Sequence, residues 1–484
     1  MAGNEASQDI GASLATTLKK MDPSMLEMVL TNKRPNETSS HEEIKKRSKT
    51  EEPINQYKGW QVPSSKYKIP TIAADSLKPE EFYAEYVSKR RPVVLKGNLQ
   101  DLVGLNKWKA SNDRLKQAAG SFEVQVEVRS DTKEAFGQGN KMTMELKRFL
   151  DMVEQGDEMH YLTTQEAEMD SDGRPALMAP FMQTLKDDFP LRPKLMGNLI
   201  PHNINLWMGN TIEGSSSGLH HDYHDNLYIM IRGTKKFRLF SPMDADKMYT
   251  TGVITKVHPN GRINYEGEAT TADGVNLQEE ASAKAAKAKE TAEQRLIDAE
   301  KAVEEGKPGA EEELEKAEEM LEQAMDDLID AQMDGDGDGD DDNLFDGEDD
   351  EDGEDDLDDL DSEDNEDDEG DEHKDVGGFM MGSKEERNCS GDSDAPLNFS
   401  KIDAANLDDD ENALKKKFPK YVDAKSAHCE LSEGEMLFLP ASWFHEVTSV
   451  GGENGHMAFN YWFHPSDTPD DFQEPYSSGS LRES

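Results

Sequence analysis

The densest cluster of chemically capable side chains is Gly218-Leu219-His220-His221-Asp222-Tyr223-His224-Asp225-Asn226-Leu227-Tyr228. On a strand, residues two apart share a face, so His220 and Asp222 would point the same way. An imidazole and a carboxylate on one face, completed by a second histidine from elsewhere in the chain, make a facial ligand set that suits iron(II). Such a set leaves the remaining positions of the metal open for a co-substrate and dioxygen. The best distant candidate is His445, in Leu439-Pro440-Ala441-Ser442-Trp443-Phe444-His445. A bare His-x-Asp also recurs by chance in long chains. A surface or structural histidine cluster competes with the metal reading, as does a zinc site through His221 and His224.

A second residue narrows the choice. Lys235 follows the Gly233-Thr234 turn, in Lys235-Lys236-Phe237-Arg238-Leu239-Phe240. By alternation it shares a face with Phe237 and Leu239. A lysine on an apolar face must pair with an anion or lose its charge, unless its stem carries the ammonium out to solvent. The distal carboxylate of 2-oxoglutarate would be such an anion.

Around these residues, several segments occur in order: Asn205-Leu206-Trp207-Met208-Gly209, Leu219-His220-x-Asp222, Asn226-Leu227-Tyr228, Gly233-Thr234-Lys235, Gly434-Glu435-Met436-Leu437-Phe438-Leu439-Pro440-Ala441-x-Trp443-Phe444-His445 and Asn460-Tyr461-Trp462. Together they resemble the JmjC (cupin-like) family of Fe(II)- and 2-oxoglutarate-dependent oxygenases, over about residues 60–265 and 396–465. Within that family the likeness is to the small protein hydroxylases, lysyl and asparaginyl. The resemblance implies a mostly β fold with flanking helices, a double-stranded β-helix (jelly-roll) of two antiparallel sheets facing each other around a metal. It implies His220, Asp222 and His445 as iron ligands and Lys235 as the partner of the 2-oxoglutarate carboxylate. Ser217 falls where a co-substrate hydroxyl donor sits, Asn226 and Asn460 match polar neighbours of the co-substrate, and Tyr161, in His160-Tyr161-Leu162, matches an assisting tyrosine. Trp462 would be a cleft wall or plain core. The implied cofactor is Fe(II), with 2-oxoglutarate and dioxygen as co-substrates. The implied reaction is hydroxylation of a protein side chain, or demethylation where the carbon attacked is an N-methyl.

These residues must be positioned by two stretches of globular sequence, 57–267 and 396–475, which read as the two parts of one domain. Helices are expected over 77–89 and 144–154, strands over 92–95, 122–128, 204–208 and 458–463, and a turn followed by a buried strand over 434–440. The intervening sequence must loop out of the barrel, which the low cost of lengthening a surface loop permits. Its first part, 268–333, is rich in Ala, Glu and Lys and is interrupted at Lys307-Pro308-Gly309. Leu314, Ala317, Leu321, Ala324, Leu328 and Ala331 form a heptad stripe that can face Ala292, Leu296, Ala299 and Val303, so a coiled-coil-like helical hairpin is expected. Its second part, 334–395, reads as a disordered acidic insert, either a solvated spacer or a dock for basic protein segments. Asp334, Asp336 and Asp338 imitate a calcium loop, but its twelfth position is Phe345 rather than a bidentate acid. Residues 1–56 read as a disordered tail and 476–484 as a short one.

The charge bounds the partners. The chain of 484 residues carries 53 basic and 103 acidic side chains, a net of −50. Residues 334–375 alone hold 27 acids and one lysine, a net of −26. That sign disfavours direct binding to nucleic-acid phosphates and favours basic partners, so a protein substrate, basic where the tract engages it, is expected. Lys33-Arg34 and Lys45-Lys46-Arg47-Ser48-Lys49 resemble a bipartite signal for a nuclear import receptor, which points to nucleus, cytoplasm or both. Two cysteines exclude a disulfide framework, no apolar run is long enough to span a membrane, and the sequons at Asn388 and Asn398 carry no expected consequence. The chain ends about forty residues after His445, without the helical extension some relatives use to dimerise, so the oligomeric state stays open. The competing function is an acidic-tract scaffold or chaperone for histones or other basic proteins, built on an inactive JmjC-like barrel.

Overall fold

Strands form where β-branched and aromatic residues alternate or run unbroken. The computed structural model describes residues 53–482, apart from 98, 131–139, 170–175, 334–395, 403–410 and 453. The basic clusters at 33–49, the acidic insert and its calcium-loop-like opening lie outside the described residues. The first strands are β1 (Tyr67–Lys68), β2 (Thr71–Ala73), β3 (Val93–Lys96), β4 (Glu123–Val128), β5 (Asn140–Glu145) and β6 (His160–Leu162). They are followed by β7 (Pro201–Gly209), β8 (Ser215–Ser216), β9 (His220–His221), β10 (Asp225–Arg232), β11 (Thr234–Phe240), β12 (Ile254–Val257) and β13 (Ile263–Tyr265). After the insertion come β14 (Ser426–Leu431), β15 (Glu435–Leu439), β16 (Phe444–Val450) and β17 (His456–Phe463).

Two sheets make a mostly antiparallel double-stranded β-helix with flanking helices. The larger runs β2-β3-β15-β10-β17-β7-β6-β4-β5; the smaller runs β1-β14-β11-β16, with β8 and β9 both pairing with β16. Each of the two sheets of the barrel takes strands from both parts of the sequence: β10 lies between β15 and β17, and β11 between β14 and β16. β10 is buried along its whole length and shows why. Leu227, Ile229 and Ile231 pack with Trp108, Phe438 and Phe459 beneath the flanking helices. Tyr228 and Met230 point the other way and pack with Phe237, Leu239, Leu437 and Trp443 between the sheets. A strand covered on both faces reads as continuously apolar, which is how Asn226 and Arg232 come to stand out in it.

The helices differ in detail from the expectation. The one expected over 77–89 begins at Pro79, a residue suited to a first helical turn, and after Phe82 widens into a π-type turn over Tyr83–Val87. The one expected over 144–154 starts at Leu146, because Met144 and Glu145 complete β5. Its buried Leu146, Phe149, Leu150 and Val153 follow the helical period.

Between β13 and the return at Pro396, the helices Leu277–Glu304 and Ala310–Met333 pack side by side and antiparallel, with Gln278 Nε2 donating to Ala331 C=O at 3.0 Å. The seam is narrower than the leucine stripe suggests. Ala285, Ala292 and Ala299 face Ala310, Ala317 and Ala324, all buried, while Leu314, Leu321 and Leu328 flank the seam half-buried. The base of the hairpin is clasped by Glu280, whose carboxylate accepts the backbone N–H groups of Gly479 and Ser480 at 3.1 and 3.4 Å. The 476–482 segment, read from sequence as a tail, therefore packs: Tyr476 and Leu481 are buried. No helix among the described residues is long and apolar enough to cross a membrane.

Candidate functional site

Pairing of β9 with β16 places His220 directly opposite His445, with ring centroids 4.3 Å apart. Asp222 is not in the strand. β9 ends at His221, and the chain turns so that Asp222 lies just beyond it, its C=O accepting Ser442 N–H at 2.7 Å. Shared alternation on one strand is thus replaced by a turn, yet ligand atoms of His220, Asp222 and His445 all lie within 4.8 Å of one another. Among the described residues this is the one His/Cys/Asp/Glu cluster so arranged. Each imidazole is locked by a backbone carbonyl: His220 Nδ1 lies 3.1 Å from Gly218 O, and His445 Nδ1 lies 2.8 Å from Trp443 O. A carbonyl can only accept, so Nδ1 carries the proton and Nε2 is left with its lone pair for a metal. Burial, reinforced by His445, lowers the His220 pKa to about 4, which keeps the ring neutral as a ligand must be. The ring of Phe399 stacks on His220 at 4.8 Å, a contact supplied by the chain as it returns from the insertion. Two neutral imidazoles presenting Nε2 and one carboxylate fit a divalent metal.

His220, Asp222 and His445 line a cavity of about 100 Å³ that is also lined by Lys235. Lys235 is 2 % exposed, so its stem does not carry the ammonium to solvent. Its Nζ donates to Tyr161 Oη at 3.3 Å and lies over the Tyr161 and Tyr228 rings, but no carboxylate among the described residues pairs with it. Burial accordingly lowers its pKa to about 7. A dianionic co-substrate fits this gap. Ser217 and Ser215 divide differently from the sequence expectation. Ser217 Oγ is engaged by the backbone, accepting Val447 N–H at 3.1 Å and donating to Gly218 O at 3.0 Å. Ser215 pairs with Ser449, and Ser449 pairs with Lys235 on the next strand. Its buried Oγ has no hydrogen-bond partner, and it lines the cavity. Sequence reasoning missed Ser215, since two serines two apart in one loop carry no local mark of which is free.

Asn226 and Asn460 belong to a chain of hydrogen bonds that ends on Asp222. Trp207 Nε1 donates to Asn460 Oδ1 at 2.8 Å, Asn460 Nδ2 to Asn226 Oδ1 at 3.0 Å, and Asn226 Nδ2 to Asp222 Oδ2 at 3.4 Å. The indole can only donate and the carboxylate can only accept, so the sense of both amides between them is fixed. The oxygen held in this way, Asp222 Oδ2, lies 3.7 Å from His445 Nε2, so the chain of amides fixes the carboxylate against the ligand cluster. Trp207 was visible in sequence only as a strand aromatic. His221 and His224 face elsewhere: His221 Nε2 bonds Tyr265 Oη at 2.7 Å, and His224 stacks on His202 at 4.0 Å. Trp462 stacks on His224 and meets Trp207 edge-on. Asn398 Nδ2 donates to His221 O at 2.6 Å, so that sequon asparagine is spent inside the fold. The loop leading into β16 is tied to β10 by Asp225, which accepts Ala441 N–H at 2.8 Å and forms a buried bidentate pair with Arg90.

Comparison with known proteins agrees with this architecture. Residues 79–469 match the model of the cupin-like domain family. The chain is 34 % identical over 461 residues to "JmjC domain-containing protein 4" of Schizosaccharomyces pombe, covering 87 % of this chain and 90 % of that protein. It is 27 % identical over 175 residues to the human "bifunctional peptidase and (3S)-lysyl hydroxylase JMJD7", covering 34 % of this chain and 52 % of the relative. A match of 67 residues at 37 % identity links it to "lysine-specific demethylase JMJ32" of Arabidopsis thaliana, covering 13 % of this chain and 19 % of that one. With the barrel, the ligand cluster and a match over most of its length in agreement, the chain belongs to the cupin-like JmjC domain family.

Proposed function

We propose that the chain is an Fe(II)- and 2-oxoglutarate-dependent dioxygenase that hydroxylates a protein side chain. The observation that carries this reading is the pairing, in one cavity, of a His-Asp-His cluster with a buried lysine that lacks a carboxylate partner among the described residues. Bound Fe(II) would supply oxidative decarboxylation of 2-oxoglutarate by dioxygen, giving succinate and carbon dioxide and transferring one oxygen atom into a substrate C–H bond. His220, Asp222 and His445 would hold the metal on one side, leaving the other side open. Lys235, with Tyr161 and Ser215 beside it, would bind the distal carboxylate and so orient the co-substrate. Asn226 and Asn460 would keep Asp222 turned toward the metal, and the apolar walls would exclude water and stray reductants. Hydroxylation is favoured over demethylation because the match to the lysyl hydroxylase runs over 175 residues and that to the demethylase over 67. The acidic 334–375 segment favours a basic protein substrate, and the basic clusters at 33–49 favour entry to the nucleus.

The test is an anaerobic titration with Fe(II) and 2-oxoglutarate, read by the visible charge-transfer band of the chelate. The band is expected in wild type, absent in Asp222→Ala, and shifted to far higher 2-oxoglutarate in Lys235→Ala. No band in wild type, with tight binding of basic proteins through 334–375, would replace the enzyme with the scaffold reading.

A further inference from the structure

Lysines gather in one place on an otherwise acidic chain. Residues 411–425 hold five lysines against two acids, a net of +3, where the whole chain stands at −50. The helix Glu411–Lys417 carries Lys415, Lys416 and Lys417 in its last turn, all exposed, and exposed Lys420 and Lys425 follow. Their backbone is anchored from below: Leu414 and Phe418 are buried, and the Phe418 ring packs on Tyr249 with centroids 5.1 Å apart. Among the described residues no carboxylate pairs with Lys415, Lys416 or Lys417, and Lys420 reaches only exposed Asp246, at 3.4 Å. A basic last turn suits the negative end of a helix dipole. That effect fades within one turn, so it does not account for Lys420 and Lys425 beyond it.

Tyr249 also marks where the insertion returns. Its C=O accepts the N–H of exposed Lys401 at 2.8 Å, and its Oη accepts the N–H of Lys420 at 3.1 Å. Just before Lys401, the carbonyls of Leu397 and Phe399 accept the N–H groups of Gly252 and Thr251 at 3.0 and 2.8 Å. The length of one tyrosine therefore separates the returning chain from Lys420. Residues 376–395, twenty in number, join this point to Asp375, the end of the acidic run, and can span at most about 70 Å. The run itself, 334–375, carries −26. A tether of this kind gives an effective concentration on the order of millimolar, which favours contact within one chain over the same contact between two.

We propose that the lysine face at 411–425 is a docking surface for the chain's own acidic segment, 334–375. Opposite charge selects that occupant, and the short return from the insertion delivers it. Basic partners then compete with this face for the same carboxylates, so the face sets how readily the segment is released to them. The inference does not depend on the dioxygenase reading, since no residue of the metal cluster takes part.

The experiment reads the full chain by zero-length carbodiimide cross-linking and by site-resolved acetylation of lysines. In the monomer, amide links are expected from carboxylates of 334–375 to Lys415, Lys416, Lys417 or Lys420, and should be lost at roughly 0.5 M salt. Deleting 334–375 is expected to speed acetylation of these four lysines by at least about threefold relative to exposed Lys78 and Lys141. Links found only between two isotopically distinct chains, links to the basic clusters at 33–49 in their place, or relative acetylation rates unchanged by the deletion would each overturn the idea. Unchanged rates together with protection by added RNA would make the face a nucleic-acid surface instead. Should the deletion fail to fold, the triple variant Lys415→Gln, Lys416→Gln, Lys417→Gln is expected to bind polylysine at least about threefold more tightly than a control of equal charge. That control carries Lys58→Gln, Lys78→Gln and Lys141→Gln, all at exposed positions, and equal affinity in the two would also sink the proposal.

Discussion

At the scale of single residues, Lys235 ties the site to pH. Its folded pKa of about 7 lies below the ordinary lysine value of roughly 10, so the unfolded chain binds more protons between these limits. The stability of the free protein should therefore rise with pH across that window, the burial penalty on the ammonium being fully present below it. A carboxylate beside the ammonium lifts the pKa again, so 2-oxoglutarate should bind the metal-loaded protein at pH 8 with uptake of about one proton. Calorimetry in buffers of different ionisation heat reads this directly. Uptake should vanish in Lys235→Met, and its absence in wild type would mean the lysine is already charged without its ligand. Trp207 acts at a distance. Trp207→Phe keeps the ring and deletes the donor that fixes the Asn460 and Asn226 amides, and should weaken metal binding by about tenfold. Co(II) absorption titrations measure this; unchanged affinity would show that Asn226 holds Asp222 unaided.

At the scale of elements, the hairpin and the barrel are separable. The seam of the hairpin is closed by alanines, of which Ala317 is fully buried. Ala317→Leu should overpack it at a cost of about 1–3 kcal/mol. Hydrogen exchange should then speed up across Leu277–Glu304 and Ala310–Met333 while β10 and β17 keep their protection. Equal loss in the barrel strands would show that the Glu280 clasp couples the two. The return from the insertion matters more to chemistry than the hairpin does, since Phe399 stacks on His220 and Ser400 N–H bonds Leu219 O at 2.8 Å.

For the whole molecule, the acidic insert dominates the electrostatics. Deleting 334–375 changes the formal net charge from −50 to −24, because that segment carries −26. On the dioxygenase reading, turnover of 2-oxoglutarate should survive the deletion, since His220, Asp222, His445 and Lys235 all lie outside it. Binding of polylysine should weaken, and its salt dependence should flatten, because long-range attraction between exposed charges is what salt screens. Lost turnover with intact folding would instead place the segment in the catalytic apparatus.

The sequence by itself determined the fold class, the residues of the candidate ligand cluster and the face on which Lys235 lies, because residue type and period-two alternation are local properties. It also determined the existence of the hairpin, through its heptads. Tertiary structure decided everything that depends on a neighbour distant in the chain. The approach of His445 to His220 is a matter of β9–β16 register, and Asp222 reaches them through a turn rather than along a strand. Ser215 rather than Ser217 keeps a free hydroxyl because Val447 N–H and Gly218 O engage the latter. Trp207 becomes part of the Asp222 support only because β7 pairs with β17. Local patterns set which face a side chain takes; partners are chosen by packing between segments the chain separates.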